Sequence, residues 1–138
     1  MGQRRRAREL AVQFLYQIDT TGEELESALE KFSVAFGLSE KTADFFLDLV
    51  RGINQNRAEL DGMIQEHAHN WRLDRMSKVD RNILRLAAFE LLKRPEIPAK
   101  VSINEAVDLG KRFGTDESGA FVNGVLDAIK RDIERFSK

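Results

Sequence analysis

Four arginines crowd the start of the chain, Arg4, Arg5, Arg6 and Arg8, and Tyr16 follows on the same stretch. Guanidinium forks match the oxygens of a phosphate, and an exposed phenol ring offers a face to an unstacked base. Together they point to single-stranded RNA or DNA. These arginines occupy the first turn of a helix, where unpaired N–H groups and the positive end of the dipole favour Asp or Glu. Helix stability therefore does not account for them. A second reading stays open at this stage, in which the basic end is merely solvated and Tyr16 packs on a neighbouring element.

Other chemistries find little support in the residues. There is no cysteine, and the two histidines, His67 and His69, are spaced i, i+2, so a helix would not turn them to one face; no metal site is expected. Gly110-Lys111-Arg112-Phe113-Gly114 lacks the upstream glycine and the following Ser or Thr of a phosphate-binding loop. No serine lies in a nucleophile elbow. The acidic pairs Glu23-Glu24 and Asp116-Glu117 fall where helix N-termini ordinarily carry them. We expect no catalytic residue and no cofactor.

The elements that position the arginines read as helices throughout. Ala7, Leu10, Ala11, Phe14, Leu15 and Ile18 form one apolar stripe, which leaves Arg5, Val12 and Tyr16 on the opposite side with Arg8 flanking them. Thr20-Thr21-Gly22 ends this helix. A second carries Leu25, Ala28, Leu29, Phe32 and Phe36 and stops at Gly37; a third, capped by Ser39, carries Ala43, Phe46, Leu47, Val50 and Ile53. Gly52 and Asn54 predict a break before Arg57, followed by a helix with Leu60, Met63, Ile64 and His67 inside. The period is lost from His69 to Met76, a join between two lobes with Trp71 as a partly buried clamp.

Ser77 then caps the most apolar helix, Val79 to Leu92, which must be nearly surrounded. Pro95 and Pro98 impose a loop. Ser102 and Glu105 have the spacing of a capping box that opens a short helix ended by Gly114. Thr115 or Asp116 starts the last helix, with Phe121, Val122, Val125, Leu126, Ile129, Ile133 and Phe136 on its inner face. The expected fold is all-α, one domain over residues 1–138, with about seven helices in two packed sub-bundles of roughly residues 1–70 and 71–138.

Charge sharpens the expectation. The chain of 138 residues has 22 basic and 23 acidic side chains, and without the four arginines the balance falls from −1 to −5. Positive charge is local, so a nucleic-acid contact should be confined, salt-sensitive and in need of help from a partner. No secretory signal is evident, since Glu9, Gln13, Gln17 and Asp19 interrupt any apolar run, and nothing approaches a membrane span. We expect a soluble, cytoplasmic protein.

Four stretches in order resemble the NusB family: Arg4 to Ala11, Ser77 to Arg85, Ile97 to Val107, and Phe121 to Asp127. The resemblance implies an all-helical, non-enzymatic RNA-binding factor in transcription antitermination. It implies pairing with the ribosomal protein NusE, recognition of boxA RNA in ribosomal RNA leaders, and support of rRNA transcription within an RNA polymerase antitermination complex. Carried over, Arg4, Arg5, Arg6 and Arg8 would contact phosphates, Tyr16 and Phe121 would lie beside RNA, and Lys100 and Asn123 would add polar contacts. Asp80 and Glu117 would meet NusE. Some members form homodimers that cover the RNA face. A similar helical unit also precedes certain rRNA cytosine methyltransferases, but such an enzyme needs an α/β domain with a Gly-rich strand-to-helix turn, and the stand-alone factor is the expectation here. Removing the charge of all four arginines should lower RNA affinity with little effect on folding.

Overall fold

Ile83, Leu84, Leu86, Ala87, Ala88 and Phe89 are all buried along one helix, and most of the other helices pack around it. The computed structural model describes residues 2–136, apart from the side chains of 33–36, and within them it contains seven α-helices, one 3-10 turn and no strand. They are α1 (Gln3–Thr21), α2 (Leu25–Phe36), α3 (Glu40–Gln55), α4 (Arg57–His67), the 3-10 turn Leu73–Arg75, α5 (Lys78–Lys93), α6 (Ala99–Phe113) and α7 (Ser118–Phe136). Helix α5 packs against α1, α3, α4, α6 and α7. Its cap is the expected one, with Ser77 Oγ accepting from the Asp80 N–H at 3.0 Å.

One contiguous apolar cluster draws residues from all seven helices. In its first half Phe14, Phe32 and Phe46 meet ring to ring, with centroids 5.1 to 5.7 Å apart, and so join α1, α2 and α3. Gly22, in the left-handed conformation at φ 73°, ends α1 and returns its N–H to the Ile18 carbonyl. The break before Arg57 falls at Asn56. Gly52 has a further reason to be glycine: a Cβ there would lie 2.3 Å from the tip of the Phe89 ring, so α3 crosses α5 at a notch only glycine leaves open.

Several expectations need correction. Val12 is buried, because α3 and α5 cover more of α1 than its stripe suggests. Ser102 and Glu105 form no capping box: α6 begins at Ala99 after Pro98, Ser102 bonds Glu90 inside the protein, and Glu105 bonds Arg5. The last helix starts at Ser118 instead of Thr115 or Asp116, since the Ser118 hydroxyl accepts from the Thr115 N–H at 2.9 Å and closes a turn ahead of it. Phe136 is 79% exposed at the end of α7. Trp71 is 55% exposed, not a buried clamp; the loop that carries it is tied by its backbone to the Gln65 side chain on α4. Phe36, expected on the inner face of α2, has a side chain outside the described residues.

Ionic contacts tie the helix ends. Asp19 at the end of α1 gathers Arg57 at 3.0 Å, Arg85 at 3.2 Å and Arg81 at 3.6 Å, with the Asn82 amide donating at 3.0 Å. Burial works against the charge on Asp19, but the Asn82 bond and the three arginines outweigh it and hold the carboxyl below its ordinary range. His67 joins α4 to α7, with its ring nitrogens 2.8 Å from the Met63 carbonyl and 2.9 Å from Asp132.

Two outcomes follow for stability. Ile83→Ala, at a fully buried site, should cost about 2–5 kcal/mol in a urea unfolding titration, and an unchanged midpoint would remove α5 from the centre of the core. A carboxyl with a lowered pKa binds fewer protons folded than unfolded, so its contribution is full above the ordinary carboxylate range and is lost as pH falls through the folded value. Asp19, and Asp132 through its bond from Arg135, should therefore make Tm by circular dichroism decline below about pH 4. A Tm that rises on that acidification would contradict this.

Candidate nucleic-acid interface

The first turn of α1 has neither a side-chain cap nor an acidic residue. Arg4, Arg5 and Arg6 stand exposed there, as expected. Arg4 lays its guanidinium 4.8 Å from the centre of the Phe45 ring on α3, a cation–π contact that fixes the charge without neutralising it. Arg5 donates a fork to Glu105 on α6, at 3.2 and 2.7 Å, and comes within 3.7 Å of Asp108. Arg6 has Glu9 at 3.9 Å, and Glu9 in turn receives Arg112.

Arg8 is placed differently from the expectation. It is only 3% exposed, and it donates two bonds of 2.8 Å to Glu90 of α5, which is wholly buried and also accepts from Ser102 of α6 at 2.7 Å. Its guanidinium is spent inside the protein and cannot reach a phosphate without dismantling this fork. The reading of Arg8 as a solvent-facing group is corrected, and with it the expectation that removing all four charges would spare folding. One signal was available in the sequence: Glu90 is an acid in the middle of the most apolar helix, and a buried carboxylate requires a partner.

Tyr16 is 44% exposed, ten residues and about 15 Å along α1 from Arg6. Lys100 is exposed near the start of α6, and Asn123 is exposed on α7. Phe121 is half-buried and meets Trp71 edge to face at 5.9 Å. These two aromatics line a pocket together with Asp80 and Glu117, so Phe121 and the two expected partner contacts come together in one place. Arg75 also lines it. Asp80 Oδ1 is buried there with no hydrogen-bond partner among the described residues. Trp71 and Arg75 were not expected at the site, because loss of periodicity marks a loop without showing where its side chains go. Asn123, two residues past Phe121, is turned away from the pocket by the helical period. The arginine end and the pocket are thus distinct sites.

No helix among the described residues is long and apolar enough to cross a membrane.

Comparison with known proteins agrees with this architecture. The family model described as "NusB family" matches residues 5–131. The transcription antitermination protein NusB of Desulfatibacillum aliphaticivorans is 52% identical over 129 residues, covering 94% of this chain and 90% of that protein. Among solved structures, T. maritima NusB superposes with a TM-score of 0.87 at 39% identity, over 98% of this chain and 97% of the other. A chain from the crystal structure of the antitermination factors NusB and NusE in complex with dsRNA superposes with a TM-score of 0.87 at 29% identity, over 96% and 98%.

The two kinds of arginine should separate in a stability measurement. Removing one partner of the buried fork, by Arg8→Ala or Glu90→Ala, strands a charge in the core and should cost about 3–5 kcal/mol in urea unfolding. Arg4→Gln should leave the midpoint where it is. Equal effects from Arg4 and Arg8 would contradict their placement.

Proposed function

Because this chain belongs to the NusB family, we propose that it is a non-enzymatic, RNA-binding transcription antitermination factor that pairs with the ribosomal protein NusE to bind boxA RNA of ribosomal RNA leaders. The observation that carries this reading is the uncapped, acid-free first turn of α1, where exposed arginines share a helix with an exposed tyrosine. Phosphates would meet Arg4, Arg5 and Arg6, and a base would stack on Tyr16. Lys100 and Asn123 add exposed polar groups at the edges. The structure that joins NusB-like and NusE chains to dsRNA supports both kinds of partner.

In this reading the two sub-bundles, about 1–70 and 71–138, divide the work. The first presents the arginine-rich end, and the second presents the pocket of Trp71, Asp80, Glu117 and Phe121 to NusE. Glu117, exposed at the rim of this pocket, suits a donor from a basic partner surface, and the aromatic pair suits an apolar side chain beside it. NusE then enlarges the RNA surface of a chain whose own net charge is −1. The loaded pair would act in the cytoplasm within the RNA polymerase antitermination complex.

Fluorescence anisotropy tests this directly, with a boxA single strand, a scrambled strand and a duplex of each, with and without NusE, at two salt concentrations. NusE should tighten binding to boxA and not to the scrambled control, and added salt should weaken it. Absence of binding to every RNA in all conditions would overturn the proposal and leave the arginine end as a solvated face.

A further inference from the structure

The four arginines at the start of α1 are not equivalent. Among the described residues Arg4 has no carboxylate partner, whereas Arg5 is engaged by two. Glu105 takes both arms of the Arg5 fork through its two oxygens, the geometry in which arginine binds a phosphate. Asp108 places a second negative charge 3.7 Å from the same guanidinium, with its side chain 60% exposed to anything approaching from solvent. Arg5 and its two carboxylates together have a net charge of −1, so this trio by itself does not attract a phosphate, while Lys111 and Arg112 line the same groove.

Helix stability does not explain Asp108. It stands five residues before the end of α6, short of the last turn that the dipole governs, and Arg5 is its one ion-pair partner among the described residues. Glu105 also lies 3.8 Å from Arg8, but Arg8 is already satisfied by Glu90. Asp108 therefore has Arg5 alone as its ion-pair partner among the described residues, and Glu105 gives both its oxygens to Arg5.

We propose that Glu105 and Asp108 are specificity-determining residues that occupy Arg5 as internal mimics of a phosphate, so that RNA gains Arg5 only when other contacts already hold its backbone in register. The inference rests on the RNA-binding reading given above. A strand held by charge alone would exchange one ion pair for another at Arg5 and gain nothing. A strand fixed by its bases and by NusE brings a phosphate to the fork at high local concentration and displaces Glu105. Phosphate contacts are blind to sequence. Releasing Arg5 should thus help the wrong RNA more than the right one.

The test compares Asp108→Asn, Glu105→Gln and the double variant with the parent chain in the NusE complex, by anisotropy on boxA and scrambled strands. Asp108 is exposed and Glu105→Gln keeps a hydrogen-bonding group, so the variants should remain folded, which circular dichroism checks. Scrambled RNA should bind about two- to fivefold more tightly to Asp108→Asn at low salt. The boxA preference should shrink, and in the double variant the slope of log affinity against log salt should steepen by up to about 0.7. Arg5→Gln should abolish these gains in the double variant while costing the parent less than Arg4→Gln does. Unchanged affinity of the variants for both strands would overturn the proposal. Inorganic polyphosphate, titrated in parallel, reads the same contest without RNA. If the parent binds no RNA but the double variant takes polyphosphate more tightly, the RNA reading fails and the masking of Arg5 stands; if polyphosphate affinity is also unchanged, both fail.

Discussion

The buried fork between Arg8 and Glu90 is the constraint on which the rest of the molecule depends. A guanidinium and a carboxylate are expensive to remove from water, and here the cost is offset by two parallel bonds and by the Ser102 hydroxyl on the remaining lone pair. Three helices, α1, α5 and α6, must be in register for this to hold. The fork therefore specifies where α1 lies, and it does so one turn inside the exposed arginines, so that the basic end is presented from a fixed base.

The other end of α1 is held as firmly. Asp19 meets Asn82 and Arg85 on α5, while Arg8 meets Glu90, so residue numbers run in opposite senses and the two helices are antiparallel. Between these pins the apolar stripe from Leu10 to Ile18 fills the interface, and Tyr16 is left outward with little freedom to turn in. The same arrangement separates the two faces of the protein. Charge for a polyanion gathers at the start of α1, and the acidic, aromatic pocket forms where the loop before α5 meets the start of α7.

Much of this was legible in the sequence, because helical spacing of apolar residues is a strong signal and α5, with apolar side chains on most of its circumference, announces itself as central. The stripe of α1, the Ser39 and Ser77 caps, and the break before Arg57 are all local consequences of residue type. What was not legible depended on partners distant in the chain. Arg8 looks solvent-facing until Glu90, 82 residues away, is placed beside it. Ser102 and Glu105 have capping-box spacing, yet each is drawn to another helix, Ser102 to Glu90 and Glu105 to Arg5. Periodicity assigns a face; it does not say how much of the circumference the neighbours will cover, which is why Val12 is buried and Phe136 is not.

The notch at Gly52 links the histories of two positions. The Phe89 ring tip occupies the space where a side chain at 52 would begin, Arg94 lies over the face of the same ring, and Arg94 is also bound to Asp48 one helical turn before the notch. A smaller residue at 89 would open room for alanine at 52 and at the same time remove the platform under Arg94. Neither site can drift alone, so in any collection of functional variants of this chain residues 52 and 89 should change together or not at all, with the ion pair at 48 and 94 following them.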